Sequence, residues 1–266
     1  MNDIQFVKPK VLILTSGSVL NNQLRQCELM GRICYNSLHR MKESPFSMEQ
    51  FLSARVKDHH ESVLEHASLS VILYTSRAVS HQIVRHRLCA FSQQSQRYVK
   101  YKSEPGEVNS LRFIQPSFFA HYEAVTQKVV KECATKAGKD YFSVIRFALS
   151  SEEARELLPN CTATTIGVTA NIREWRHIFK ERLSRGAQAE IANIIYPIFK
   201  FVKKHAPFLV EDVTVSNLGL VDDYVEVYTC DEGEANTIGD LNASLCGWAS
   251  PYRVAEVLNT FPEPEE

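Results

Sequence analysis

The stretch LSVILYTSRAVSHQIVRHR, residues 69–87, decides the fold class of this chain. Its first part carries apolar residues at alternating positions and is rich in β-favouring types, which predicts a strand over residues 69–75. Ser76 can end this strand and cap a helix that we expect to run to about Arg87. A strand that leads directly into a helix is typical of a mixed α/β domain.

Both strands and helices are also predicted on either side of this stretch. Further strands are predicted at residues 10–14 and 162–169. Helices are predicted at residues 21–37, from Ser47 onward, and at residues 117–136, 140–149, 150–158, 171–184 and 187–205. Capping patterns mark the helix starts at Ser47, Ser150 and Asn171, each followed three residues later by Gln or Glu. We therefore expect one α/β domain over residues 1–212.

The last part of the chain has a different composition. From residue 213 onward the regular apolar spacing disappears and acidic residues accumulate, ending in the sequence PEPEE. We predict that residues 213–266 form an acidic extension outside the domain, and the sequence assigns it no role.

Composition argues against several classes of function. The 266 residues contain 30 Lys and Arg against 31 Asp and Glu, so the chain as a whole does not attract nucleic acid or an anionic membrane. No apolar run approaches the roughly 18 residues of a membrane helix, and the first residues do not resemble a signal peptide. The seven cysteines form no C-x-x-C pair, which favours reduced thiols. We predict a cytoplasmic protein with no membrane or nucleic-acid partner.

A basic segment follows the strand predicted at residues 69–75. Residues 76–102 contain six Lys or Arg and two His but no Asp or Glu. The segment can be a solvated surface. It can also be an anion site, because a helix would place Gln82 and Arg85 on one face, where an amide and a guanidinium suit a base edge or a phosphate. The uncharged residues 92–96 add donors and acceptors for a neutral heterocycle.

A second basic segment, residues 171–191, allows the same two interpretations. Arg173 and His177 are i, i+4 neighbours on the predicted helix. The helix can be a surface helix with salt bridges from Glu174 and Glu181, or it can share an anionic ligand with the first basic segment.

Other kinds of site have less support. The glycine-rich dinucleotide motif, the P-loop and the H-E-x-x-H zinc motif do not occur. His59, His60, Glu65 and His66 superficially resemble a metal cluster, but carboxylate partners are missing and no metal is predicted. Cys161 is a possible exposed nucleophile, yet no base is evident beside it, so a buried structural thiol is favoured.

Taken together, these segments resemble one family. RHRLCAFSQQS, residues 85–95, matches the R-H-R-x7-S signature of flavin-dependent thymidylate synthases. Features that accompany this signature occur in the right order: HHESVLEHASLSV upstream, SQRY directly downstream, then EARELLP and NIREWRHIFKERLSRGAQAEI. The similarity spans about residues 55–205.

The resemblance implies a compact α/β (α+β) fold with a central mixed sheet and flanking helices, assembled as a homotetramer with shared active sites. It implies reductive methylation of the small-molecule substrate dUMP to dTMP. The carbon donor would be 5,10-methylenetetrahydrofolate, and the cofactor would be FAD, which NADPH reduces. The flavin then supplies the hydride chemistry, and the protein supplies orientation and electrostatics.

The resemblance also implies roles for individual residues. Those that match FAD-binding positions are His60, Ser62, Arg85, His86, Arg87, Leu88, Gln93, Asn171, Ile172, Arg173 and His177. Those that match nucleotide-binding positions are Gln82, Arg85, Gln93, Gln94, Ser95, Gln96, Arg97, Arg155 and Arg182. Arg182 matches the catalytic arginine. Its guanidinium cannot act as a base at neutral pH, but at the N3/O2 edge it can stabilise an ionised uracil.

The same resemblance weakens two nucleophile hypotheses. The family does not rely on a cysteine nucleophile, so Cys161 is expected to be structural, and Ser95 is interpreted as a nucleotide-binding hydroxyl. One departure concerns Ser92-Gln93, where many members have Asn-Glu, so an amide replaces a carboxylate.

Two other functions stay open. A nucleotide- or RNA-binding module would combine the basic helices with Phe91, Tyr98 and Tyr101, although the near-zero net charge and the lack of an RNA-binding motif count against it. A degenerate family member would bind FAD without completing methyl transfer.

Overall fold

The computed structural model of the chain describes residues 4–42, 44–102, 110–147 and 149–229. The strands in these ranges are β1 (Gln5–Val7), β2 (Lys10–Ile13), β3 (Ser68–Ser76), β4 (Cys89–Gln93), β5 (Arg112–Ile114), β6 (Ala163–Asn171) and β7 (Glu226–Thr229). The α-helices are α1 (Gly17–Cys34), α2 (Pro45–Lys57), α3 (Arg77–Ile83), α4 (Ala124–Arg146), α5 (Ser151–Ala154), α6 (Ile172–Arg182) and α7 (Ala189–His205). Short 3-10 helices cover Leu38–Arg40, Glu61–His66, Ser117–His121, Arg155–Leu157 and Pro207–Leu209.

A five-stranded mixed sheet forms the centre of the fold, which confirms the predicted fold class. Its strand order is β4-β6-β3-β2-β7, with antiparallel pairing except between β2 and β7, which run parallel. β1 and β5 form a separate parallel pair. The longest ladder joins β3 and β6 and runs from the Ser68–Asn171 pair to the Ser76–Ala163 pair.

The segment that decides the fold class behaves largely as expected. Ser76 ends β3 and caps α3, because its hydroxyl accepts a hydrogen bond from the backbone N–H of Val79 at 3.3 Å. The helix stops at Ile83 rather than near Arg87, however, and residues 84–88 form turns. The expectation that Gln82 and Arg85 share one helix face was therefore wrong. The residues after these turns form an edge strand, β4, for which no strand was predicted.

Three other helix boundaries differ from the prediction. α1 begins at Gly17 because Ser16 caps it, and α2 begins at Pro45 after Ser44 rather than at Ser47. The side chain of Ser47 instead donates to Glu28 of α1 at 3.1 Å. The two helices predicted between residues 117 and 149 are a 3-10 turn followed by one long helix, α4.

α4 continues through Gly138 because the helix packs closely against the β1–β5 pair at this point. A Cβ atom on Gly138 would lie 2.2 Å from the side chain of Ile4 and 3.2 Å from Phe113. Only a residue without a side chain permits this approach, so the glycine marks a packing contact rather than a helix end.

Two groups of buried apolar residues hold the molecule together. The larger one lies between the five-stranded sheet and α1, α2, α6 and α7, and Trp175, Phe179 and Leu24 are among its fully buried members. The smaller one surrounds α4 and includes Phe113 and Tyr141. No helix in the described ranges is both long enough and apolar enough to cross a membrane.

The first part of the predicted acidic extension packs on the domain. Val213 is buried in the larger core, the hydroxyl of Tyr224 donates to Glu190 of α7, and β7 extends the sheet beside β2. The remainder, residues 230–266, lies outside the described residues, so the division of the chain at residue 212 stays a prediction.

Candidate active site

The two basic segments meet because of the sheet topology. α3 follows the end of β3, and the chain then enters β4, whose first residue, Cys89, pairs with Ala170 near the end of β6. Asn171 ends β6 and caps α6, since its side-chain oxygen accepts a hydrogen bond from the N–H of Glu174 at 2.8 Å. The turn that contains residues 85–88 therefore lies at the same end of the sheet as the start of α6.

His86 lies at the centre of this junction and is buried. Its Nε2 accepts a hydrogen bond from Nε of Arg182 at 3.0 Å, and its Nδ1 lies 3.4 Å from Oε1 of Glu174. The Nη2 group of Arg182 also donates to the backbone carbonyl of Gln82 at 3.4 Å. Among the described residues, none bonds to Nη1 of Arg182, so the outer edge of the guanidinium can take a ligand.

The charge state of His86 follows from its surroundings. Its pKa is lowered to about 4, and burial is the largest cause, followed by the positive charge of Arg182 and the neighbouring His177. The ring is therefore neutral at pH 7. Because an arginine N–H can only donate, Nε2 of His86 is the acceptor and Nδ1 carries the proton that faces Glu174.

Glu174 completes a row of three side chains. It is buried, and burial raises the pKa of its carboxyl group, although His177 partly opposes this effect. The row Glu174, His86, Arg182 fixes the imidazole tautomer at one end and the guanidinium at the other.

A metal ion is a second possibility for this group. Ligand atoms of His86, Glu174 and His177 lie within 4.8 Å of one another, and they are the group with metal-ligand chemistry in the described ranges. If a metal ion bound Nδ1 of His86, the ring proton would move to Nε2. Nε2–H and Nε–H of Arg182 would then both be donors, and their hydrogen bond would be lost. The bond to Arg182 therefore favours a proton on Nδ1 over a metal ion there.

The rim of this junction is cationic and partly apolar. Arg85, Arg87 and Leu88 are exposed, and in the described part of the chain neither arginine has a side-chain hydrogen bond or ion pair. His177 is also exposed, with its ring centroid 5.7 Å from that of His86. Guanidinium donors beside an exposed leucine suit a ligand that combines phosphates with a planar ring.

The segment with His60 and Ser62 reaches the same side of α6. Both residues are exposed, and Nδ1 of His60 lies 3.3 Å from the hydroxyl of Tyr35. The two segments are joined by an ion pair of 2.6 Å between Arg173 and Glu65.

A buried ionic network anchors α6. Arg176 is fully buried and forms ion pairs with Glu61 and Asp212, each at 2.9 Å, while Lys180 also pairs with Asp212 at 2.7 Å. Burial opposes ionisation of Asp212, but the bonds from Arg176 and Lys180 outweigh it and hold the pKa of Asp212 well below its usual range. The network therefore has a structural role, and Arg176 does not take part in a basic ligand surface.

The predicted nucleotide-binding residues from Gln93 to Arg97 lie at the end of β4 and in the loop after it, and they contact other neighbours than His86. The amide of Gln93 donates to the hydroxyls of Ser80 and Thr164 at 2.9 and 3.3 Å. The guanidinium of Arg97 pairs with Glu152 at 2.7 Å, and Nε of Arg155 donates to the carbonyl of Glu152 at 3.2 Å.

The other polar residues of the loop make local contacts. Ser95 accepts a hydrogen bond from the N–H of Arg97 at 3.2 Å, the amide of Gln96 donates to Tyr101 at 3.4 Å, and the N–H of Gln94 donates to Thr165 at 2.9 Å. Among the sequence-predicted residues, Arg182 bonds to His86, whereas Arg97 and Arg155 bond to Glu152.

Several important pairings were missed from the sequence. Glu174, Glu65 and Glu152 each lie against a predicted site residue, but Glu174 was interpreted as a cap or a surface charge, Glu65 as part of a metal-like cluster, and Glu152 was given no role. Arg77 was not singled out, although burial lowers its pKa and Nη1 lies 3.5 Å from the hydroxyl of Thr164. These pairings link residues far apart in the sequence, so spacing gives no signal for them.

Two predicted residues have structural contacts as well. Asn171 caps α6, and the side chain of Ile172 is buried in the core, while its N–H donates to Ala67 at 2.9 Å. Cys161 is half-buried, and burial raises the pKa of its thiol to about 11. A thiol with this pKa is protonated at pH 7 and is a poor nucleophile.

Comparison with known proteins places the chain in a family. Residues 18–208 match the family described as thymidylate synthase complementing protein. The chain belongs to this family.

Curated relatives carry a more specific name. A flavin-dependent thymidylate synthase from Geobacter sulfurreducens is 36% identical over 196 residues, which cover 69% of this chain and 79% of that protein. A protein of the same name from Corynebacterium aurimucosum is 30% identical over 206 residues, covering 72% and 80%. A probable flavin-dependent thymidylate synthase from Mycobacterium phage L5 is 31% identical over 198 residues, covering 70% and 79%.

Proposed function

We propose that this protein is an FAD-dependent thymidylate synthase that converts dUMP to dTMP, with 5,10-methylenetetrahydrofolate as the carbon donor and NADPH as the reductant. The observation that carries this proposal is the row Glu174, His86, Arg182, which holds one edge of a guanidinium and leaves its other edge free. This arrangement suits electrostatic activation of a substrate ring. The names of the relatives support the reaction.

The residues around His86 fit a flavin dinucleotide. Arg85 and Arg87, whose guanidinium groups have no partner within the described ranges, can bind its diphosphate, and Leu88 offers apolar surface for a ring. His177 and Arg173 are exposed on α6, and Arg173 would exchange its ion pair with Glu65 for a ligand. When bound, the flavin supplies the hydride chemistry of the reaction.

Arg182 would bind the uracil through its free edge. A guanidinium at N3 and O2 stabilises the negative charge that develops when N3 loses its proton, and this charge activates the ring at C5. Because His86 is neutral, its Nε2 can accept from Nε of Arg182 and does not repel the guanidinium. Glu174 would act as a positioning residue by orienting the imidazole.

The loop that follows β4 would bind the nucleotide phosphate. Arg97 and Arg155 bond to Glu152 and can exchange this partner for a phosphate, and the hydroxyl of Ser95 lies beside the N–H of Arg97. The amide of Gln93 is already bonded to Ser80 and Thr164. We infer that Gln93 holds the end of β4 in place, and that it does not reproduce the charge of the glutamate found in many family members.

Assembly and location belong to the same proposal. A homotetramer would cover the exposed rim of the site and let a second subunit contribute to it, which suits a rim as open as that around Leu88. The described cysteines are unpaired, in keeping with a reducing cytoplasm.

Product formation by the purified protein tests the proposal. We expect dTMP from dUMP only when the carbon donor, FAD and NADPH are all present. A protein that binds FAD but forms no dTMP would instead be a degenerate family member. Failure to bind FAD would contradict the proposal as a whole.

A further inference from the structure

We propose that the acidic end of the chain, residues 230–266, docks in a lysine-lined groove beside α4. The proposal is independent of the enzymatic function, because this groove lies on the smaller core and away from the junction around His86.

The groove runs between α4 and β1 and has a volume of about 760 Å³. Ile4 and Phe6 form its apolar floor. The lysines along its wall are Lys128, Lys131, Lys136 and Lys139, which share one face of α4.

Most of this positive charge lacks a partner. Lys128 lies 3.9 Å from Glu132, the acidic residue of the groove. The ammonium of Lys131 lies over the rings of Phe6 and Phe119, at 5.8 and 5.6 Å. Among the described residues, no carboxylate forms an ion pair with Lys131, Lys136 or Lys139. The groove therefore favours an anionic occupant.

The edge of the groove is apolar. Val125 and Val129 are 70% and 52% exposed, and both lie on the Lys136 side of α4. An occupant that carries apolar side chains together with acidic ones would cover this edge and the floor at once.

The end of the chain has this composition. Its acidic residues are Asp231, Glu232, Glu234, Asp240, Glu256, Glu263, Glu265 and Glu266, and Arg253 is its one basic residue. Its large apolar residues include Trp248, Tyr252 and Phe261. This mixture is complementary to lysines above an apolar floor.

The segment is long enough to reach the groove. It starts after Thr229, which pairs with Ile13 in the sheet, and Phe6 precedes Ile13 by seven residues in the chain. At the extended rise per residue, Thr229 and Phe6 lie within about 30 Å of each other. The segment itself spans more than about 100 Å when fully extended.

Zero-length carbodiimide cross-linking of the full chain, followed by peptide mass mapping, tests the proposal. We expect cross-links from carboxylates in residues 230–266 to concentrate on Lys131, Lys136 and Lys139. The double variant Lys136→Gln/Lys139→Gln and high salt should each lower the yield at Lys131 at least about threefold, because the attraction is electrostatic. The matched pair Lys200→Gln/Lys203→Gln, on the exposed side of α7, should leave the yield unchanged.

Two outcomes would overturn the proposal. One is an even spread of cross-links over exposed lysines, including Lys200 and Lys203. The other is a concentration on Lys100 and Lys102, which would place the segment over the nucleotide-binding loop. As a second readout, Trp248 fluorescence should shift to longer wavelength in the Lys136→Gln/Lys139→Gln variant while that of buried Trp175 stays constant, and an unchanged spectrum would also contradict docking.

Discussion

Arg182 donates from Nε to Nε2 of the buried His86 at 3.0 Å, across 96 residues of sequence. The bond fixes one edge of the guanidinium and leaves Nη1 without a partner among the described residues. The proposed function depends on this orientation, because arginine stabilises a developing anion only when it is held in place.

Replacing Arg182 tests its catalytic role. Arg182→Ala should lower kcat at least about 100-fold, because one charged donor to the developing anion is lost. Flavin absorbance per chain should change less than about twofold. The matched control Arg185→Ala removes an exposed arginine from the turn that follows α6 and should retain activity. Equal losses in both variants would contradict the specific role of Arg182.

Glu174 should affect turnover through His86. Glu174→Ala should lower kcat about 10-fold with a smaller change in KM for dUMP, because the imidazole loses the group that orients it. Glu174→Gln should restore most of the activity, since its amide oxygen can still accept from Nδ1. Glu181→Ala, an exposed glutamate on the same helix, serves as the control. A Gln variant as impaired as the Ala variant would argue against the orienting role.

The low pKa of His86 predicts a dependence of stability on pH. Its pKa is about 4 in the folded protein and 6.5 ordinarily, so the unfolded chain binds more protons between these values. The stability that a neutral His86 contributes is complete above about pH 6.5 and is lost as the pH falls towards 4. The raised pKa of Glu174 acts in the opposite direction, since its contribution is lost as the pH rises.

Denaturant unfolding at a series of pH values measures this effect. The free energy of unfolding of the wild type should fall by about 2 kcal/mol between pH 6.5 and 4 through His86 alone. His86→Asn should remove this component and leave that of Glu174. Identical pH profiles for the two proteins would contradict the assignment.

The network around Arg176 should matter for stability rather than catalysis. Arg176→Met leaves Glu61 and Asp212 without their buried partner and should cost about 3 kcal/mol in free energy of unfolding. Arg173→Met, which breaks a half-exposed ion pair with Glu65, should cost less than about 1 kcal/mol. Chemical denaturation of both variants measures the two losses. Similar losses of free energy of unfolding would contradict the stabilising role that we assign to the buried Arg176 network.

Cys161 should be dispensable for catalysis. Cys161→Ala should retain kcat within about twofold, because the thiol is protonated and half-buried. If Cys161→Ala lost activity but kept its stability, Cys161 would have a catalytic role, which would contradict the prediction.

Local sequence patterns predicted the parts of the fold that depend on local interactions. The caps at Ser76, Ser150 and Asn171 are present, because a capping side chain bonds to a backbone group three residues away. The helix break predicted between residues 136 and 140 is absent. Gly138 lies inside α4, where it allows close packing against Ile4. Strand β7 was not predicted although Val227, Tyr228 and Thr229 are β-favouring residues, because the acidic residues around it led us to assign the segment to an extension.

The contacts within the candidate site could not be predicted from the sequence either. The resemblance to a known family selected His86 and Arg182, but their spacing in the sequence did not predict that they bond to each other. Glu174 was interpreted as a helix cap, although its carboxyl group faces Nδ1 of His86. Such pairings depend on how β4 and α6 meet at one end of the sheet.

An anaerobic single-turnover experiment tests the central claim most directly. The protein with its flavin reduced by NADPH is mixed with dUMP and 5,10-methylenetetrahydrofolate, and the flavin spectrum and dTMP are followed together. The proposed function predicts flavin reoxidation with about one dTMP formed per flavin, and neither event without dUMP. Flavin that stays reduced, or dTMP formed without a change in the flavin, would contradict it.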